Sequence, residues 1–331
     1  MNTLALLIVL CWFVCILAAS PLPGAPGHSH GGRGRGDGAE GPDDLDDLGD
    51  LGDHGFVDSG GVKIHYVTKG AGPLVVLSHG QPDHWYLWHK QIPALAKQFK
   101  VVAIDLRAYN LSDQPKGVEN YTFDKLVGDV DAVVQHFQQA KATLVGHDWG
   151  GYISWRYAMA HPDKTDRLVL LNMPHPRCLE RELANNPEQR QASEYARQFQ
   201  QLPEGGRTVL HKGVTYTLTP ELFASGFKDE IVREKYVEAL RRSSIDGMMN
   251  YYKANFPRPP YQENTYPPVK CPVLMIHGLA DPFLLPGALN DTWRYLEKDF
   301  TLVTVPNAGH WVQYDAADLV TKHMVAWLTR E

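Results

Sequence analysis

Short apolar runs of strand length alternate with longer amphipathic stretches through most of the chain from residue 56 onward. "LVVLSHG", "VVAIDLR", "ATLVGHD" and "RLVLLNMP" are the short runs; "DHWYLWHKQIPALAKQF", "YTFDKLVGDVDAVVQHF" and "GYISWRYAMA" lie between them. Parallel strands cannot be joined by a tight turn and need a helical crossover. The alternation therefore predicts an α/β architecture, a mostly parallel sheet with helices on both faces. A hairpin precedes it in "FVDSGGVKIHYVTKG", two alternating strands about a Gly-Gly turn. The pattern stops after Pro174. Residues 177–268 are polar, helical in period and without a buried-strand run. It resumes with "CPVLMIHG", "WRYLEK", "FTLVTVP" and "DLVTKHMVAWL". A helical block inserted there reads as a cap over the C-terminal strand ends, where such sheets bind ligands. Core is thus expected at 56–176 and 269–331, with the cap at 177–268 between them.

The first 55 residues follow other rules. Residues 4–19, "LALLIVLCWFVCILAA", are uninterrupted apolar sequence followed by small residues. Two readings fit: a secretory signal cleaved near Ala19 or Ser20, or an uncleaved anchor that attaches the chain to a membrane. Residues 1–20 are assigned to that segment and 21–55, rich in Gly, Pro and Asp, to a tether that cannot bury a core. The tether's "RGD" at 35–37 has the form of an adhesion tripeptide, but its composition accounts for it. His28 and His30 are two histidines without further ligands, so no metal site is expected. Sequons occur at Asn110, Asn120 and Asn290, in keeping with a secreted or lumenal location. Cys11 and Cys15 fall in the apolar run. Cys178 and Cys271 are placed at opposite ends of neighbouring strands, ~15 Å apart, beyond the ~7 Å that a disulfide spans; both are expected as buried thiols. A net charge of −6 argues against nucleic acid as a partner.

Reactive side chains fall at the expected strand ends. In "ATLVGHDWGGYISWRYAMAHP" a strand runs into a glycine-flanked turn and a helix, with Asp148 at the apex. "GLADPFLLPG" places Asp281 just past a later strand, and "NAGHWVQYD" places His310 past the next. The order nucleophile, acid, histidine is that of hydrolase triads built on such sheets. "SHGQP" ends an earlier strand, where an oxyanion-hole N–H belongs.

The set "HGQP", "AIDLRAYNLSDQP", "GHDWGG", "GLADPF" and "AGHWVQ" resembles the α/β-hydrolase-fold epoxide hydrolases, with haloalkane dehalogenases as close cousins. The resemblance implies an eight-stranded α/β-hydrolase sheet, Asp148 as nucleophile, His310 as base and Asp281 as its orienting acid. It implies an oxyanion hole from the N–H groups of Gln81 and Trp149, and no cofactor. "SEYARQFQ" and "MMNYYKANF" resemble the cap segments that carry two oxygen-binding tyrosines, placing them at Tyr195 and Tyr252, with Tyr251 a rival for the second. Trp149, Pro82 and Tyr251 would line the substrate pocket. Departures from the family pattern are Gln81, where an aromatic is frequent, and Ala108, where glycine is usual.

A carboxylate at the elbow decides the chemistry. Asp148 is ionised at neutral pH and attacks without a base. On an ester it would give only an anhydride; on a saturated carbon it gives an alkyl ester that water can resolve. A strained epoxide or a carbon–halogen bond is the matching electrophile, and phenols suit the alkoxide that an epoxide releases. The expectation is an epoxide hydrolase acting on a small hydrophobic epoxide, as monomer or homodimer. A haloalkane dehalogenase and a non-catalytic adhesion protein are the alternatives.

Overall fold

A computed structural model describes residues 51–211 and 213–330. The apolar leader, most of the tether, residues 35–37, His28, His30, Cys11 and Cys15 lie outside the described residues. Among those described, no helix is long and apolar enough to cross a membrane.

The core is one eight-stranded sheet. Its strands are β1 (Asp53–Ser59), β2 (Val62–Lys69), β3 (Leu74–Ser78), β4 (Lys100–Ile104), β5 (Ala142–His147), β6 (Thr165–Leu171), β9 (Val273–Gly278) and β10 (Phe300–Val305), in the order β1-β2-β4-β3-β5-β6-β9-β10. β1 and β2 pair antiparallel, as does β2 with β4; every other pairing is parallel. β3, β5 and β9 are buried at every position, which is why they read as unbroken apolar runs. The strand order reverses at β3, whose neighbours are β4 on one side and β5 on the other. The loops that leave β3 and β5 therefore open on the crevice where open α/β sheets hold ligands.

The helices, in chain order, begin with α1 (Ile92–Leu95), α2 (Phe123–His136) and α3 (Trp149–Ala160). α2 turns Leu126, Val127, Val130, Val133 and Val134 inward, an i, i+1, i+4, i+7, i+8 stripe. The cap follows β6 as α4 (Pro176–Asn185), α5 (Pro187–Ala192), α6 (Glu194–Gln201), α7 (Pro220–Ala224), α8 (Glu230–Arg242) and α9 (Ile245–Asn255). α10 (Val312–Asp315) and α11 (Ala317–Leu328) close the chain. Side-chain caps set the cap boundaries: Asp229 accepts from the N–H groups of Ile231 and Val232, and Ser244 from that of Gly247.

Four local expectations change. The long helix expected over "DHWYLWHKQIPALAKQF" is a 3-10 turn at Trp85–Trp88 followed by the single turn of α1. Pro93 has no N–H to donate and fits only the first turn, so no helix passes through it. "WRYLEK" likewise forms only a 3-10 turn at Thr292–Tyr295. The cap contains an antiparallel hairpin, β7 (Thr208–His211) with β8 (Val214–Thr217), whose side chains are largely exposed and so leave no apolar run to read. β1 starts at Asp53, inside the stretch taken as tether, because backbone pairing of Asp53, His54 and Gly55 with β2 does not depend on their polarity. Cys178 and Cys271 are buried free thiols, as expected.

Candidate active site

β5 delivers Asp148 at φ 49° and ψ −121°, outside the regions open to ordinary residues. The strain is held from both sides: the Asp148 N–H donates to the Leu171 carbonyl at 3.4 Å, and its carbonyl accepts from Tyr152 at 2.9 Å. Glycines make room. A Cβ on Gly150 would lie 2.2 Å from the Ser78 carbonyl oxygen, and one on Gly80 would lie 2.4 Å from the Asp148 Cβ. The β3 loop can thus close onto the elbow, and the Gln81 N–H donates to Asp148 Oδ1 at 2.8 Å. Trp149 opens α3, where an N–H has no acceptor within the helix. Among the described residues no hydrogen bond runs from that N–H to the Asp148 carboxylate.

His310 lies on the other side. Its Nε2 is 3.5 Å from Asp148 Oδ2 and its Nδ1 is 2.8 Å from Asp281 Oδ2. Asp281 is fully engaged: Oδ1 accepts from the N–H groups of Phe283 at 2.8 Å and Leu284 at 3.1 Å, and Oδ2 also accepts from Asn172 Nδ2 at 2.7 Å. Asn172 donates in addition to the Gly309 carbonyl at 3.1 Å and accepts from the Gly278 N–H at 3.1 Å. It ties β6, the acid and the histidine loop together. Its place after β6 was visible in the sequence; its partners were not.

The electrostatics follow from burial opposed by pairing. Burial alone would lower the His310 pKa, but the charge of Asp281 and the hydrogen bonds to Asp148 and Asp281 outweigh it and push it up to about 10. Burial would raise Asp281, yet the charge and hydrogen bond of His310 hold it down at about 2. Asp148 is likewise lowered: against burial act the hydrogen bond and charge of His310, the charge of His147 and the Gln81 N–H. At neutral pH the resting site is an anion, an imidazolium and an anion in a row.

The cap supplies the phenols. Tyr195 stands on α6 and Tyr252 on α9, their rings 5.9 Å apart at 79°. The Tyr252 ring also meets the Trp149 indole edge-on, centroids 5.0 Å apart at 88°. Gln200 locks the two helices by donating to the Tyr252 carbonyl at 3.1 Å and the Phe256 carbonyl at 2.8 Å. Burial, with the charge of Asp148, drives both phenols well above the usual range, so they stay protonated. Asp148 and both tyrosines border one cavity, with Trp149, Tyr152, Met173, Leu179, Phe256 and Leu284 as the remaining wall. Tyr152 and Phe256 follow Trp149 and Tyr252 by one helical turn, a spacing that could have flagged them.

Three expected assignments fail. Tyr251 does not line that cavity; its hydroxyl donates to the Arg107 carbonyl at 2.8 Å, because a helix sends adjacent residues in different directions. Pro82 is buried but is not among the lining residues. Asn110 is 6% exposed and its amide donates to Asp105 Oδ2 at 2.9 Å, so it cannot carry a glycan in this fold. Asn120 is half-buried, and its amide donates to the Lys116 carbonyl at 2.6 Å; Asn290 is exposed. Ala108, the departure from glycine, adopts φ 77°.

Asp83 was not anticipated. It is buried, accepting from the Tyr236 hydroxyl at 3.1 Å and the Trp311 indole at 3.0 Å, with His147 Nδ1 3.7 Å away. Burial pushes its carboxyl up to about 7 against those two donors. Among the described residues no group of three or more His, Cys, Asp or Glu side chains is arranged to hold a metal ion.

The sequence profile of the alpha/beta hydrolase fold matches residues 73–317. The AB hydrolase superfamily protein YfhM of Bacillus subtilis is 32% identical over 287 residues, 83% of this chain and 98% of that protein. Epoxide hydrolase 1 of Caenorhabditis elegans is 32% identical over 283 residues, 81% of this chain and 68% of that protein. Among solved structures, an epoxide hydrolase from Bacillus megaterium complexed with an inhibitor superposes with a TM-score of 0.75 at 29% identity, covering 83% of this chain and 100% of that one.

Proposed function

The chain belongs to the α/β-hydrolase fold family, and from that premise we propose that it is an epoxide hydrolase working through a covalent ester on Asp148. One observation carries the reading: an ionised carboxylate faces His310 on one side and two protonated cap phenols across a cavity. Relatives named as epoxide hydrolases support it from outside the molecule.

The chemistry follows in two steps. Asp148 attacks a ring carbon and forms a C–O bond; the ring C–O bond breaks, and the alkoxide takes a proton from Tyr195 or Tyr252. Esterification removes the charge of Asp148 and its hydrogen bond to His310, two of the influences that hold the His310 pKa up. The imidazolium therefore becomes a stronger acid, returns its proton to the phenolate left by the first step, and His310 stands as the neutral imidazole at the moment a base is needed. Water deprotonated by His310 adds to the Asp148 carbonyl carbon. The resulting oxyanion is held by the Gln81 N–H and, by its position at the head of α3, the Trp149 N–H. Collapse breaks the bond to the alkyl oxygen, frees the vicinal diol and restores the carboxylate.

The phenols separate this reading from dehalogenation, because a departing halide needs no proton. Wild type is expected to turn over epoxides and leave matched bromoalkanes intact. Tyr195→Phe and Tyr252→Phe should each slow alkylation about 10- to 100-fold, with the double variant lower still. Equal rates in the double variant and wild type, or turnover confined to bromoalkanes, would overturn it.

The apolar run at residues 4–19 and the exposed sequon residue Asn290 support an exported or membrane-anchored enzyme. Intact mass after expression in a secretory eukaryotic host checks this. A glycan at Asn290 is expected, and an unmodified full-length chain in the cytosol would count against export.

A further inference from the structure

The cavity beside Asp148 lies to one side of it. Asp148 stands just past the end of β5, with β3 and β4 on one hand and β6 and β9 on the other. Of the cavity wall, Trp149 and Tyr152 follow β5, Met173 follows β6 and Leu284 follows β9, and cap residues complete it. Among the described residues, none of that wall comes from the loops after β3 and β4. Those two loops fill the opposite side. There the Tyr109 hydroxyl donates to Gln81 Oε1 at 3.4 Å, and Asp83 accepts from the Tyr236 hydroxyl of α8 at 3.1 Å and the Trp311 indole at 3.0 Å. Gln81 is joined to the nucleophile by its main-chain N–H, so this packing begins at Asp148 itself. Tyr109, Gln81, Asp83 and Tyr236 are each at most 6% exposed. Side chains that water barely reaches border no space that an alkyl group could enter.

An epoxide placed for attack has its ring oxygen at the cap phenols and one ring carbon at Asp148, so the chains on its two carbons spread to either side. Toward β6 and β9 a chain meets mostly apolar wall, including the Met173 thioether, whose flexible stem adapts to the shape beside it. Toward β3 and β4 a chain would have to part Tyr109 from Gln81 and press on the hydrogen bonds of Asp83, in a region already packed. We infer that the enzyme takes epoxides substituted on one ring carbon only, terminal epoxides above all, with the bare carbon facing the filled side and with Gln81 and Tyr109 as the residues that exclude a second chain. This rests on the epoxide-hydrolysing reading and adds to it the class of substrate.

Two isomers test it, 1,2-epoxyhexane and trans-3,4-epoxyhexane, which differ in whether one ring carbon or both carry a chain. Each kcat/KM is divided by the epoxide's own rate with hydroxide in free solution, so that intrinsic reactivity cancels. With the full-length enzyme the terminal isomer should then be favoured by about 10- to 100-fold. Gln81→Ala, which keeps the N–H at Asp148, and Tyr109→Ala each remove bulk from the filled side. Either should shrink the preference by about fivefold or more, through faster turnover of the internal isomer. A wild-type ratio near one, or inverted, overturns the inference without need of a variant. So does a preference that both substitutions leave unchanged. Turnover of neither isomer strikes the epoxide-hydrolase reading itself, whereas equal turnover of both strikes only the one-sided site.

Discussion

A single turnover by excess enzyme in ¹⁸O-water is expected to place the label in the Asp148 carboxylate and leave the first diol unlabelled. The oxygen that joins the ring carbon comes from Asp148, and the water oxygen enters at the carboxyl carbon when the ester is resolved. Peptide mass spectrometry over the elbow reads the label directly. Asp148→Ala removes the attacking atom and leaves no neighbouring group to replace it. Its diol formation should fall by at least about 10⁴-fold, the scale seen when a nucleophile is deleted from a triad that acts as a unit. Label in the diol of the first turnover would mean that water attacks the ring directly, and the covalent route would be lost.

His310→Gln should separate the two half-reactions. Alkylation needs only the ionised Asp148 and a protonated phenol, so the variant should still consume one equivalent of epoxide. Resolution needs a base, so the ester should accumulate and turnover should drop by about 10³-fold or more. Intact-protein mass raised by that of the epoxide would show it; full turnover with no adduct would refute the role. The wild-type pH profile carries the same sign. Asp148 is lowered below the ordinary carboxylate range and both phenols are raised above theirs, so alkylation should be flat through neutrality. Resolution should rise with pH as His310 loses its proton and level off below about 10, the resting value, because the esterified Asp148 no longer holds the imidazolium. The imidazole form predominates only above its pKa, so acid slows this step.

Much of this site could be read before any coordinates. The elbow, the acid and the histidine each follow a buried strand, and a buried parallel strand announces itself by composition alone. Asp148, Asp281 and His310 are where that pattern put them, with His310 hydrogen-bonded to Asp281 at 2.8 Å and 3.5 Å from Asp148. The cap was harder. Helical period located it, yet its hairpin is exposed and carries no pattern, and the choice between Tyr251 and Tyr252 turns on a rotation that sequence spacing does not supply. α9 fixes that rotation through Gln200 below and the Tyr251 hydroxyl on the Arg107 carbonyl.

Composition and periodicity determined the sheet, the insertion point of the cap and the strand ends that carry the chemistry, because burial of a strand or of one helix face requires apolar residues at regular intervals. Tertiary structure alone decided what meets across those elements. Asp83 draws its partners from Tyr236 and Trp311, Asn172 clamps Asp281, and Asn110 turns inward to Asp105. Asp83 and Asn172 find their partners more than a hundred residues away and Asn110 only five, and a polar residue in sequence does not disclose whether water or another side chain satisfies it.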